Sequence, residues 1–209
     1  IYARNHLGHY SNFYYRMSSR YSTSAVVLKT EAKGEYDLWC VCFTERFGKM
    51  RLLVKGARKP ASKLRAALQP LSFSHIEFVQ GKIWRVVDAM LQNRYEGLRS
   101  NAKNLRSALA VAFLCRRFTE EQDEVLWKNL LEALDILNAS EESPFTSFLV
   151  YHYFLWNLLS RCGYASSPPP LVASLLTEPL RTLILNTKER GELSRISRTY
   201  LERAIVLTS

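Results

Sequence analysis

The sequence predicts an α+β chain of two domains, a small five-stranded β-barrel followed by an all-α helical bundle. Three observations predict it. Apolar residues alternate with a period of two between Ser24 and Leu91. After Gly97 the period lengthens to 3.6. Turn residues fall between the short runs of the first half, which reads as strands separated by hairpins. With 209 residues and an apolar fraction of 47%, the chain can bury a substantial core.

The five strands are expected in order. SAVVLKT (24–30) comes first, followed by a turn at Gly34, and LWCVCFT (38–44) second. The loop ERFGK then places Gly48 where a hairpin needs positive φ. MRLLVKG (50–56) is third, LSFSHIEFV (71–79) fourth and IWRVVDAM (83–90) fifth, the last two joined through Gln80-Gly81-Lys82. A long link between the third and fourth suits an OB-type barrel. A five-stranded SH3-like barrel gives nearly the same string, and pattern alone does not separate the two.

Helices follow. On 99–118, Leu98, Leu105, Leu109, Ala112 and Phe113 are expected to share the buried face, with Arg99, Lys103 and Arg106 opposite. Thr119 is the expected N-cap of a second helix, Glu120 to Asn138, whose acidic first turn suits the macrodipole. Ser143-Pro144 opens a third helix, Phe145 to Arg161, apolar nearly all round and therefore central to a bundle. It ends at Cys162-Gly163, with Gly163 as a left-handed C′ residue. SSPPP (166–170) reads as a stiff linker before two shorter helices around 171–186 and 192–206. The expected division is an extension at 1–20, disordered or non-native, then a barrel domain at 21–97 and a helical domain at 98–209. Met17 would be a natural start just ahead of the first patterned segment.

Charge is uneven. Residues 1–97 hold 16 Lys and Arg against 7 Asp and Glu, whereas 98–209 hold 13 against 12, so the net charge of +10 belongs almost wholly to the first half. A positive field of that kind draws in polyanions, nucleic acid first. Cys40, Cys42, Cys115 and Cys162 make no CxxC, and a C-x-C pair in a strand sets its Cα atoms about 7 Å apart, too far for a relaxed disulfide. They read as reduced, buried apolar residues of a cytoplasmic protein. The longest apolar run, Phe148 to Leu159, is broken by His152 and Asn157 and is too short to span a bilayer. The opening IYARNHLGHYSNFYYR lacks the apolar core of a secretory signal.

The segment KMRLLVKGARKPASKLR, 49–65, carries four Lys and three Arg and no acid. Arg51 and Lys55 are expected on the strand face opposite the core, and Gly56 to Pro60 leave the barrel as a loop. Lys49, Arg51, Lys55, Arg58, Lys59, Lys63 and Arg65 would then line one edge, with Lys82 nearby, and follow a phosphate backbone without reading bases. Stacking platforms could come from Trp39, Phe43, Phe47, Phe73 or Trp84, of which Trp84 is the best exposed candidate. No Ser/His/Asp set, phosphate-binding glycine loop, HExxH or paired catalytic carboxylate is recognisable, so a catalytic centre is not expected. Glu120, Glu121, Asp123 and Glu124 read as a helix start rather than a metal cluster, and His152 as a satisfied core histidine.

AVVLKT (25–30), FTERFGK (43–49) and LLVKGARKPASKLRAALQPLSF (52–73), in that order and spacing, resemble the N-terminal domain of the bacterial RecO recombination-mediator family. LLSRCGYA (158–165) is similar to a segment of the same family's helical half. The resemblance implies an OB-fold followed by a helical domain in a non-enzymatic protein of the bacterial cytoplasm, associated with the nucleoid. It implies DNA repair and recombination by binding single- and double-stranded DNA, annealing complementary strands and helping RecA load onto DNA coated by single-stranded-DNA-binding protein. The implied partners are DNA, RecR and the acidic C-terminal tail of that coating protein. Matched by motif, Lys55, Arg58, Lys59, Lys63 and Arg65 are the implied DNA contacts, with Lys49 and Arg51 behind them. Arg116, Arg117 and Phe118 offer chemistry suited to an acidic, Phe-ending tail. Many family members carry a four-cysteine zinc site just after GYA; SSPPPLVASLL follows here without a Cys, so neither zinc nor another cofactor is expected. The rival reading is an adaptor whose barrel binds an acidic protein.

Overall fold

A computed structural model describes residues 19–139, 144–178, 180 and 185–208. Most of the extension expected at 1–20 lies outside the described residues, and the first strand already includes Arg20.

Five strands close into a barrel in the order β1-β2-β3-β5-β4: β1 (Arg20–Lys33), β2 (Asp37–Thr44), β3 (Gly48–Val54), β4 (Phe73–Val79) and β5 (Arg85–Asn93). All neighbouring pairs are antiparallel except β3 and β5, which run parallel through Leu53↔Arg85 and Val54↔Val86. That order and the one parallel contact decide for the OB-type barrel over the SH3-like one. The link between β3 and β4 holds a short helix, α1 (Leu64–Ala67), pinned to the barrel because Ser72 and Ser74 both donate to Ala67 O.

Period-two alternation sends Ala25, Val27, Cys40, Cys42, Leu52, Val54, Ile76 and Phe78 into the barrel. On the other side of the same strands, Val26, Leu28 and Phe43 are just as dry, because the helical half covers them. β1 therefore reads as a continuous buried run from Ala25 to Leu28 rather than a strict alternation.

The helical half comprises α2 (Glu96–Ser100), α3 (Ala102–Phe118), α4 (Glu124–Ala139), α5 (Pro144–Arg161), α6 (Pro170–Thr177) and α7 (Thr187–Leu207). As its all-round apolar surface requires, α5 is central and touches α3, α4, α6 and α7. Gly163 has φ of 80°, and the Gly163 and Tyr164 amides donate to Ser160 O and Leu159 O, closing α5. Pro170 is the first residue of α6, so the proline run ends inside a helix.

Two helix expectations need correcting. Thr119 is not the N-cap of α4: its hydroxyl donates to Cys115 O at the end of α3, and Asp123 caps α4 by accepting from the Val125 and Leu126 amides. The buried residues of α3 are Asn104, Ala108, Val111, Ala112, Leu114 and Cys115, leaving Leu109 and Phe113 exposed. Asn101, in extended conformation, interrupts the helix and accepts from the Lys103 and Asn104 amides, which resets the phase that Leu98 suggested.

All four cysteines are free; Cys40, Cys42 and Cys115 are buried, whereas Cys162 is half-buried with its thiol on Phe118 O. Among the described residues no helix is long and apolar enough to cross a membrane. Among them, too, no three His, Cys, Asp or Glu side chains gather as a metal-holding group.

Candidate nucleic-acid interface

The basic segment begins inside the fold and ends outside it. Gly48, with φ of 64°, turns the β2–β3 hairpin directly against the α3–α4 connection; a Cβ there would come within 2.6 Å of Glu120 O and Gln122 N. The next residue, Lys49, does not reach a solvent groove. Its amide donates to Glu120 O, its ammonium donates to Arg116 O at 2.9 Å, and it pairs with the Glu120 carboxylate, leaving the side chain only 17% exposed. The carboxylate from the helical half neutralises it, which corrects the expectation that all seven cations stand without acids.

Arg51 is exposed on the outer face of β3, as alternation requires, but it is engaged too. Its guanidinium lies 4.2 Å from the centre of the Trp39 ring and 3.7 Å from Glu31, which also receives Lys29 at 2.6 Å. The Lys29 hydrogen bond, then its charge, hold the Glu31 carboxyl below the ordinary range. Lys33 approaches the same Trp39 ring at 4.3 Å. An outer row Glu31–Trp39–Leu53–Arg85 thus crosses four strands in register.

Beyond β3 the chain leaves the barrel with Asp37 accepting from the Gly56 amide at 2.8 Å and the Arg58 amide donating to Tyr36 O. The Arg58 side chain donates to Gly34 O at 2.8 Å, which fastens the loop to the β1–β2 hairpin. Lys59 stands 5.5 Å from the Tyr36 ring, and its carbonyl accepts from the Ser62 amide. Among the described residues none of Lys55, Arg58, Lys59, Lys63, Arg65 or Lys82 forms an ion pair, and all six are exposed. Arg85, not singled out in the sequence, joins them; its strand position concealed it. Two clefts open beside this segment. One, of about 350 Å³, has Arg58 and Arg65 over Leu38 and Leu68. The other, of about 290 Å³, has Lys55, Lys82 and Arg85 around Leu53 and Ile83.

The aromatic candidates divide. Trp84 is half-buried, packed edge-on against Tyr21 and Phe78 at the end of the barrel, so it is not the exposed platform expected. Phe47 joins that cluster, Phe43 is fully buried, and Phe43 and Phe73 both meet Trp127 of α4. Trp39 is the ring left on the outer face, beside cations.

The expected partner trio diverges. Arg116 lies over Phe113, Arg117 donates to Ile205 O of α7, and Phe118 packs edge-on against Tyr164.

Comparison with known proteins follows the same lines. Residues 17–89 match the family described as recombination protein O N terminal. Over 146 residues the chain is 32% identical to the DNA repair protein RecO of Heliobacterium modesticaldum, covering 69% of this chain and 52% of that protein. The protein of that name from Syntrophomonas wolfei is 31% identical over 144 residues, 68% of this chain and 56% of the relative. That from Caldanaerobacter subterraneus is 28% identical over 148 residues, 68% and 58%. The chain thus spans about half the length of these curated relatives. Barrel order, basic segment and alignment agree, and residues 17–89 belong to the RecO N-terminal family, in a chain similar to RecO proteins over about two thirds of its length.

Proposed function

We propose that this chain acts in DNA repair and recombination as a mediator that binds DNA without sequence preference through the barrel, residues 21–97, with 98–209 as its helical domain. The observation that carries the reading is the set of six exposed cations at Lys55, Arg58, Lys59, Lys63, Arg65 and Lys82 with no ion pair among the described residues. Charge of one sign on a surface otherwise free to mix signs is kept at a cost in self-repulsion, and a phosphate backbone relieves it while releasing counterions. Arg51 contributes by holding Trp39, the ring on which a base can stack. Lys49 and Trp84 support the site from behind. Annealing of complementary strands, delivery of RecA to DNA coated by single-stranded-DNA-binding protein, and contacts with RecR and the coating protein's acidic tail are finer parts of the same proposal, drawn from the family. The proposed activity is binding rather than catalysis, as the family resemblance implies.

A salt titration tests the reading. Six phosphate contacts to single-stranded DNA give a log–log slope of about −4, at about −0.7 per contact, and oligonucleotides of unrelated sequence share it. Arg58→Glu with Lys59→Glu should lower affinity and flatten that slope by at least about 1, with the far-ultraviolet spectrum unchanged. A slope near zero in the parent protein, or one unmoved by the double change, removes the barrel from DNA binding. Binding that persists only to acidic polypeptides would favour the adaptor.

A further inference from the structure

The two clefts share no lining residue, and the end of β3 runs between them. On one side Leu38 pairs with Val54; on the other Leu53 pairs with Arg85. The near walls, Leu38 of β2 and Leu53 of β3, stand on adjacent strands about 5 Å apart, but Leu38 faces the barrel interior with Val54 whereas Leu53 belongs to the outer row, so the two clefts lie on different faces of the sheet at the end of β3. The divider is fixed: Ala57 is fully buried, and the Gly56 amide is held by the Asp37 carboxylate. Arg58 is tied by side chain and amide to the β1–β2 hairpin, and Lys55 lines the other cleft.

From this we propose that the basic segment is a partition between two single-strand sites. The Arg58–Arg65 cleft takes one strand and the Lys55–Lys82–Arg85 cleft takes another, on the same molecule. The proposal rests on the nucleic-acid reading above and adds the number of strands to it. Each cleft has an apolar floor for a base, cations for its phosphates, and no carboxylate in its lining. A strand crossing from one to the other over the dividing segment would bring phosphates near the Asp37 carboxylate, which accepts from the Gly56 amide, and like charges there oppose the crossing. Two strands seated side by side gain a high effective concentration for one another, which a single groove could not supply.

The test uses two non-complementary oligonucleotides of about eight nucleotides, one carrying a donor dye and one an acceptor, with the full chain and stoichiometry read by native mass spectrometry. The parent chain should bind two oligonucleotides per polypeptide and give energy transfer. Arg65→Glu and Lys82→Glu, both at exposed positions, should each reduce the count to one and abolish transfer, while the remaining site keeps its affinity within about threefold. Saturation of the parent chain at one oligonucleotide overturns the proposal and leaves the DNA reading standing; so does a single variant that weakens both sites alike. Failure of the parent chain to bind any oligonucleotide overturns both.

Discussion

His152 shows how one residue ties acid sensitivity to packing. It is 6% exposed between α5 and α7, with Nδ1 2.9 Å from Ser197 Oγ, which also accepts from Trp156 Nε1. Burial pushes its pKa down to about 4, so the folded protein holds it neutral while the unfolded chain protonates it at its ordinary value near 6.5. Where the unfolded state binds the extra proton, stability rises with pH. The contribution is complete above about pH 6.5 and declines as pH falls toward 4, the loss amounting to about 2 kcal/mol by about pH 5. Urea midpoints at about pH 7 and about pH 5 should differ in the parent protein and much less in His152→Asn; an equal drop in the variant would place the sensitivity elsewhere. Sequence made this histidine legible as a core residue, since YHYFLWN leaves it no polar face. It did not make Ser197 legible as its partner, 45 residues away, because a helix-to-helix contact leaves no local pattern. Lys49 was misplaced for the same reason: Glu120 closes on it from 71 residues along the chain.

At the scale of elements, caps decide where the helical half turns. Asp123 ends the connection that Gly48 presses against, and it carries two loads: the amides of Val125 and Leu126, and an ion pair at 2.6 Å with Arg161 of α5. Burial raises its carboxyl, but the Arg161 hydrogen bond, the Leu126 amide, the Arg161 charge and the Val125 amide outweigh it and leave the pKa lowered. Its stabilising effect is thus lost only as pH falls through the low carboxylate range, below the window of His152. Asp123→Ala should destabilise by about 1–2 kcal/mol, the usual cost of a lost N-cap, and Asp123→Ser, which restores a cap without the charge, should recover part of it. Equal losses in calorimetry for both would show that the ion pair alone matters. The strand bounds were legible to within four residues because each hairpin announces itself by Gly34, Gly48 or Gly81. The cap at Asp123 was not, because Thr119 and Asp123 are both good capping residues four apart, and only the hydrogen-bond partner tells them apart. The phase of α3 failed similarly at Asn101.

At the scale of the whole molecule, the helices share one core with the face of the barrel they cover, although the charge divides unevenly between the two halves. Val26, Leu28, Phe43 and Leu71 from the barrel half lie in the same buried cluster as Leu114, Trp127, Leu134 and Trp156. Trp127, 4% exposed, is the pivot, with ring centres 6.3 Å from Phe43 and 6.1 Å from Phe73. A seam this dry turns the outside of the β1–β2 hairpin into interior, so the two halves should unfold together rather than as independent units. Trp127→Ala removes the pivot and should cost about 3–5 kcal/mol, the range for a large buried aromatic. Because the barrel interior of Ala25, Val27, Leu52 and Phe78 belongs to a separate cluster, the same change should also split the transition. Circular dichroism at a strand-sensitive and a helix-sensitive wavelength would then show two midpoints where the parent shows one. If the variant still melts in a single step at both wavelengths, the coupling runs through the Gly48–Glu120 contact and the Lys49 pair instead, and Gly48→Ala becomes the change that uncouples the barrel's basic face from its scaffold.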